Sequence, residues 1–267
     1  MKDALLTFVQ GDAFLDNLDC EVFLHSIKKY KTFDKVCFIK NISLEKQEWL
    51  KKYFDFVIEP THHINVPNCD RFICYYEFLC EHPEYEYILH LDFRDMILQG
   101  DPFPYMKSFP DKDLFLALEG MKIKDSPFND MWATWKNNLI PTHKLDYKND
   151  MVINAGNIGG KYSSFLSLCL MIFLDTNRIA QHVVFEQPVL NYLYRYLLEN
   201  PKVKICHPHE SEFCVIGEGV KYNFVKTIFS NGKICKEDGT PYLIYHQWDR
   251  NEYADIFRNK LKNKFII

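Results

Sequence analysis

Over its first hundred residues the chain alternates short runs rich in β-branched and aromatic residues with stretches of helical periodicity. Parallel strands need a long connection that packs back on the sheet, so this alternation predicts a mostly parallel sheet with crossover helices. The predicted strands are 5–9, 35–39, 54–58 and 87–91, separated by helices over 19–30, 43–53 and 70–81. Ser43 is the predicted N-cap of the second helix. The third follows Pro67-Asn68 and ends before Pro83, with Phe72, Tyr75, Tyr76 and Leu79 on its packing face.

Beyond Pro102 and Pro104 the pattern is less regular. It reads as a strand at 114–118, a Trp-bearing segment at 131–139, a glycine-rich stretch at 154–160 and helices over 163–175 and 187–198. Short strands follow at 203–206, 213–216 and 242–245. There is no internal repeat or low-complexity linker, so one domain over 1–267 is expected.

Charge and cysteine content narrow the function classes. A net charge of -4 gives no basic field for nucleic acid, and an anionic ligand would need local cations or a metal. Nine irregularly spaced cysteines argue against a disulfide framework and for a reducing, cytoplasmic setting. The opening Met1–Val9 reads as a buried strand rather than a signal segment. The longest apolar run, 165–174, falls well short of the roughly 20 residues that cross a bilayer. The basic end, 258–267, reads as a solvated tail, with weak contact to an anionic membrane surface or glycan as the alternative.

The chemistry concentrates where an apolar strand runs into Leu91-Asp92-Phe93-Arg94-Asp95. Carboxylates brought together repel unless a cation lies between them, and a divalent ion with oxygen ligands is the common solution. In open parallel sheets ligands gather beyond the carboxyl ends of strands, which is where these acids lie. The alternative is a surface turn in which Asp95 pairs with Arg94; Asp101, ahead of Pro102, is assigned to a turn.

With this cluster the chain resembles glycosyltransferases of the GT-A fold, a Rossmann-like α/β architecture whose Asp-x-Asp-type motif holds Mn(II) or Mg(II) against a nucleotide-sugar diphosphate. Arg94 is inserted in the motif here, as a phosphate contact or a carboxylate partner. Asn154-Ala155-Gly156-Asn157 is similar to the Asn-Ala-Gly strand that borders the donor sugar in retaining enzymes related to glycogenin and bacterial galactosyltransferases. Glycine admits close backbone approach and the two amides suit sugar hydroxyls; a glycine-rich turn is the alternative. Phe185-Glu186-Gln187 is similar to the acid-amide pair that faces the anomeric carbon in those enzymes, although both residues also suit the first turn of a helix before Pro188.

The resemblance further implies His246 as a third metal ligand, Arg71 as a cation near the diphosphate, and Phe8 and Gln10 as grips on the base. A core role for Phe8 and an ion pair from Arg71 to Asp70 or Glu77 are the structural alternatives. The implied metal set is Asp92, Asp95 and His246; the implied donor contacts are Phe8, Gln10, Arg71, Asp92, Arg94, Asn154, Gly156 and Asn157; the implied catalytic set is Glu186, Gln187 and Asn154. Residues 1–105 would form the nucleotide-sugar half and 106–267 a smaller acceptor-side subregion.

The expected reaction is transfer of a sugar, from a UDP-sugar and with retention, to a glycan or other hydroxyl acceptor. Trp132, Trp135 and Trp248 are candidates to stack on acceptor sugars. Rival readings are a nucleotidyltransferase or phosphohydrolase using the same carboxylates, or a noncatalytic nucleotide- or glycan-binding module. The segment after the first strand, Val9-Gln10-Gly11-Asp12, lacks the glycine-rich basic loop of nucleotidyltransferases. Zinc at Cys206, His207, His209 and Cys214 is disfavoured by its spacing, and the two histidines then become acceptor-pocket candidates.

Overall fold

A computed structural model of the chain describes residues 1–62, 64–139, 148–177, 186–196, 201–216, 226–250 and 254–262. Strand β1 (Lys2–Gln10) leads into α1 (Asp12–Leu15), α2 (Leu18–Lys28), β2 (Asp34–Lys40), α3 (Leu44–Leu50), β3 (Phe56–Ile58), α4 (Pro67–Glu81) and β4 (Tyr85–Leu91). The chain continues through β5 (Met96–Leu98), α5 (Pro102–Lys107), β6 (Leu114–Lys122), α6 (Pro127–Leu139), β7 (Met151–Lys161), α7 (Tyr162–Asn177) and α8 (Glu186–Tyr196). Last come β8 (Val203–Cys206), β9 (Phe213–Val215), the hairpin β10 (Ile228–Ser230) and β11 (Lys233–Cys235), β12 (Ile244–His246) and α9 (Ala254–Lys262).

A mostly parallel sheet of seven strands, ordered β3-β2-β1-β4-β7-β6-β8, forms the centre, with β7 antiparallel to both neighbours. Successive strands first run outward from β1 to β3, then resume on its other side at β4. The crossovers therefore diverge between β1 and β4, which opens a crevice at their carboxyl ends. Asp92 is the residue that follows β4.

Helices cover both faces. On one, Phe72, Tyr75 and Leu79 of α4, Phe165 and Ile172 of α7 and Leu190 of α8 pack on Leu6, Ile88 and Ile153. On the other, Phe23 and Ile27 of α2 and Phe103 and Met106 of α5 pack on Leu5, Leu89 and Phe115. Each fully buried side chain of this size contributes about 1.5–3 kcal/mol. Among the described residues no helix is long and apolar enough to cross a membrane. None of the nine cysteines, all among the described residues, is in a disulfide, and of these Cys80 alone is exposed.

A second sheet, β5-β12-β9, brings the end of the chain to the Asp segment. Strand β12 pairs antiparallel with β5 so that His246 lies opposite Met96, directly after Asp95. Gln99 locks this seam: its amide donates to the carbonyls of Ile234 and Tyr242 and accepts from the Ile234 N–H. Tyr242 is thus satisfied by a side chain, and the strand expected at 242–245 falls at Ile244–His246.

Other boundaries move for local reasons. Helix α4 begins at Pro67, whose fixed φ suits the first helical position, rather than at residue 70. Ser43 is the N-cap of α3, but its side chain makes no capping bond; its N–H donates to Asp12 Oδ1 at 2.9 Å. The glycine-rich stretch is part of strand β7, not a turn. Expected helical residues 197 and 198 lie outside the described residues, as does Phe185.

Candidate metal centre and cleft

Asp92 leaves β4 with its N–H bonded to the Gly156 carbonyl of β7 at 2.9 Å. Three residues on, the Asp95 carbonyl accepts from the Gln247 N–H at 2.6 Å, which fixes the Asp segment against the end of β12. His246 Nε2 consequently lies 3.5 Å from Asp92 Oδ2 and 3.3 Å from Asp95 Oδ1. One ligand atom from each of Asp92, Asp95 and His246 lies within 4.8 Å of the other two, the one such group of three among the described residues. His246 is buried, and neither ring nitrogen has a hydrogen-bond partner.

Gly156 makes this convergence possible. A Cβ there would come within 2.1 Å of Asp92 Oδ2 and 2.8 Å of His246 Cε1. A residue without a side chain at 156 therefore leaves room for the side chains of Asp92 and His246.

The surroundings set the charge of the acids. Burial pushes Asp92 upward, but Arg71 and His246 outweigh it and hold the carboxyl well below the usual range. Asp95 is likewise held down, chiefly by His246 against the cost of burial. Burial lowers His246, yet Asp95 and Asp92 prevail and raise it. Burial and Arg71 push His90 down to about 3, so it stays neutral. His90 Nδ1 lies 3.1 Å from the Tyr75 hydroxyl and 3.3 Å from the Leu6 carbonyl, which ties β4 to α4 and β1.

Arg71 is buried beneath the cluster. It donates to Asp92 Oδ1 and the Ala155 carbonyl, and its Nη2 is 3.9 Å from Glu186 Oε1. Its partners are neither Asp70 nor Glu77, and it does not line the cleft. Asp70 instead caps the start of α4 by accepting from the N–H groups of Asn65 and Val66. Arg94 pairs with Asp95 at 3.7 Å and Asp249 at 3.2 Å, the carboxylate-partner alternative.

Asp92 and Asp95 open on a cleft of 410 Å³. Its walls include Asn154 of β7, Glu119 of β6 and Glu186 and Gln187 of α8. Asn68, Ser126, Phe128, Asn129, Trp132, Gln247 and Arg250 also line it. Gln187 has no free N–H: Nε2 donates to Glu119 Oε1 at 3.0 Å and Asn129 Oδ1 at 2.7 Å, while Oε1 accepts from Ala155 N. Asn154 Nδ2 also donates to Glu119 Oε1, at 2.9 Å. Burial, against these two amide bonds, raises Glu119; burial, against Arg71, raises Glu186.

Glu119 was not among the residues expected here. Its signal was an acid closing the apolar run Leu114-Phe115-Leu116-Ala117-Leu118, the same pattern that drew attention to Asp92. Arg250 gave no comparable signal; folding alone turns the segment after β12 toward the cleft. Asp101 caps α5 by accepting from Phe103 N, as a turn residue should.

Several expected residues lie elsewhere. Phe8 belongs to the core with Leu6, Val36 and Phe38, and Gln10 ends β1 without lining the cleft. Asn157 is fully buried in β7 with neither amide atom partnered, and it too is not a cleft residue. Trp248 is buried against Phe257, so it cannot stack on an acceptor. His207 and His209 do not line the cleft, and with Cys206 and Cys214 they form no metal-ligand group among the described residues. Arg258 of the basic end is paired to Asp19 at 2.8 and 2.9 Å; residues 263–267 lie outside the described residues.

No known protein-family model matches this sequence, and no curated protein matches it significantly.

Proposed function

We propose that the chain is a metal-dependent glycosyltransferase of the GT-A type that transfers a sugar from a nucleotide-diphospho-sugar, a UDP-sugar, to a hydroxyl acceptor. One observation carries this: Asp92, Asp95 and His246, from segments far apart in the sequence, meet at the mouth of a cleft lined by two further buried carboxylates. The donor set fits a divalent ion. Two carboxylates and an imidazole suit Mn(II) or Mg(II), the imidazole nitrogens lack partners, and only a glycine at 156 admits the arrangement. When bound, the ion would neutralise charge developing on a departing diphosphate.

The protein's own groups divide the remaining work. Arg71 keeps Asp92 ionised from behind, so the carboxylate is ready for a cation. Arg250 is the only cation among the described cleft-lining residues and supplies positive charge beside the diphosphate. Glu119, Glu186 and Asn154 face the space where the sugar is held. Gln187, with both N–H groups committed, orients Glu119 instead of touching the sugar.

In the transfer the bond from the anomeric carbon to the diphosphate oxygen breaks and a bond to the acceptor oxygen forms. The nucleoside diphosphate leaves with the electron pair of the broken bond, and its freed phosphate oxygen takes the proton that the acceptor hydroxyl gives up. Glu186, beside the cleft and backed by Arg71, is suited to stabilise an oxocarbenium-like centre. Retention is the outcome expected from the likeness to glycogenin-type enzymes. Incubating the protein with a panel of nucleotide-sugars and Mn(II) should release nucleoside diphosphate from one of them, and Asp92→Asn or Asp95→Asn should abolish release. Metal-stimulated turnover that survives both substitutions refutes the assignment.

A further inference from the structure

Helix α6 is built inside out. Its inward residues are Asn129, Ala133 and Lys136, two of them polar. Asn129 bonds Ser126 and Gln187, and the Lys136 ammonium sits 3.9 Å from the Tyr192 ring centroid. The outward stripe is apolar instead: Phe128, Trp132, Trp135 and Leu139 recur at spacings of four, three and four, which places them on one helix face. Phe128, Trp135 and Leu139 are 57, 39 and 54% exposed, and a contiguous exposed apolar face, unlike a single exposed residue, marks an interaction surface.

The stripe is continuous with the cleft. Phe128 and Trp132 line it as a tilted ring pair 6.2 Å apart, and Trp135 and Leu139 carry the apolar face outward by the next turns. From Phe128 to Leu139 the face extends about 16 Å along the helix axis. That is long for one monosaccharide and suits an extended ligand with its reacting end in the cleft.

We propose that this face of α6 binds an oligosaccharide acceptor, its sugar rings laid on Trp132 and Trp135; the link to catalysis rests on the glycosyltransferase reading. A pyranose ring has an apolar C–H face that packs on an aromatic ring while its hydroxyls point outward to polar groups. A bilayer fits less well. The one cation of α6, Lys136, is turned inward, and Asp130 pairs with Lys148 at 3.1 Å, so the described residues of α6 do not present on this face the positive charge that draws a helix to anionic lipid.

The test is to apply the full chain to an array of immobilised oligosaccharides of graded length, with vesicles of phosphatidylcholine and phosphatidylglycerol assayed in parallel. Calorimetry of Mn(II) and UDP on the same wild-type sample reports the nucleotide site separately. Expected are array binding that strengthens with chain length, roughly tenfold weaker binding for Trp132→Ala and Trp135→Ala, and recovery in Trp135→Phe. A blank array, an unchanged Trp135→Ala, or vesicle binding in place of sugar binding overturns the proposal. Array binding without any Mn(II)–UDP heat would keep this surface and discard the enzyme reading; the reverse result would keep the enzyme and discard the surface.

Discussion

His246 is raised by Asp95 and Asp92 against the pull of burial, so the two carboxylates that would share a cation also favour a proton on the imidazole. Only neutral imidazole ligates, hence Mn(II) affinity should fall as pH drops through this raised value, at a higher pH than for an ordinary histidine near 6.5. Calorimetric titrations at several pH values check this; a pH-independent affinity removes His246 from the ligand set. Gly156 makes a sharper prediction. Its Cβ position overlaps Asp92 and His246, so Gly156→Ala should cost about 1–3 kcal/mol in urea unfolding and abolish Mn(II) binding. An alanine variant that binds metal normally would show that the two ligands need not meet there.

At the level of elements, α6 also gives a stability test. Burial pushes the Lys136 amine from 10.5 down to about 8, against the pull of Asp175. Between those values the unfolded chain binds more protons than the folded one, so the contribution of Lys136 to stability grows as pH rises across that window. Lys136→Met should flatten this part of the stability–pH curve, as read by chemical denaturation at stepped pH. An unchanged slope would mean that the amine is solvated.

The sequence disclosed elements whose local chemistry decides their form. Strand β1, the crossover helices and the acid-tipped β4 follow from period, caps and proline positions. It disclosed less where long-range partners decide. Asn154 and Gln187 read as sugar contacts, but their shared bond to Glu119 of β6 was not legible, because it depends on β6 pairing with β7 and on α8 lying beside both. Phe8 was ambiguous because an aromatic at a strand end serves core and ligand alike. The aromatic spacing of α6 was legible, but its outward direction was not, since periodicity marks a face without saying which way it points.

For the whole molecule, the second sheet matters most. By pairing β12 with β5 it carries His246 across the chain to Asp95, so the candidate metal centre exists only when β12 is docked on β5. Metal bound there stabilises the native state alone: at a hundredfold excess over Kd, Mn(II) with UDP should add about 2.7 kcal/mol and raise Tm accordingly. Asp95→Asn should remove the added increment in differential scanning calorimetry; a shift that persists would place the binding elsewhere. The most direct measurement is a crystal soaked with Mn(II) and UDP and recorded at the manganese absorption edge. One anomalous peak bonded to Asp92, Asp95 and His246, with the diphosphate on its open side, is the expected result. A peak elsewhere, or nucleotide bound away from these three side chains, contradicts it.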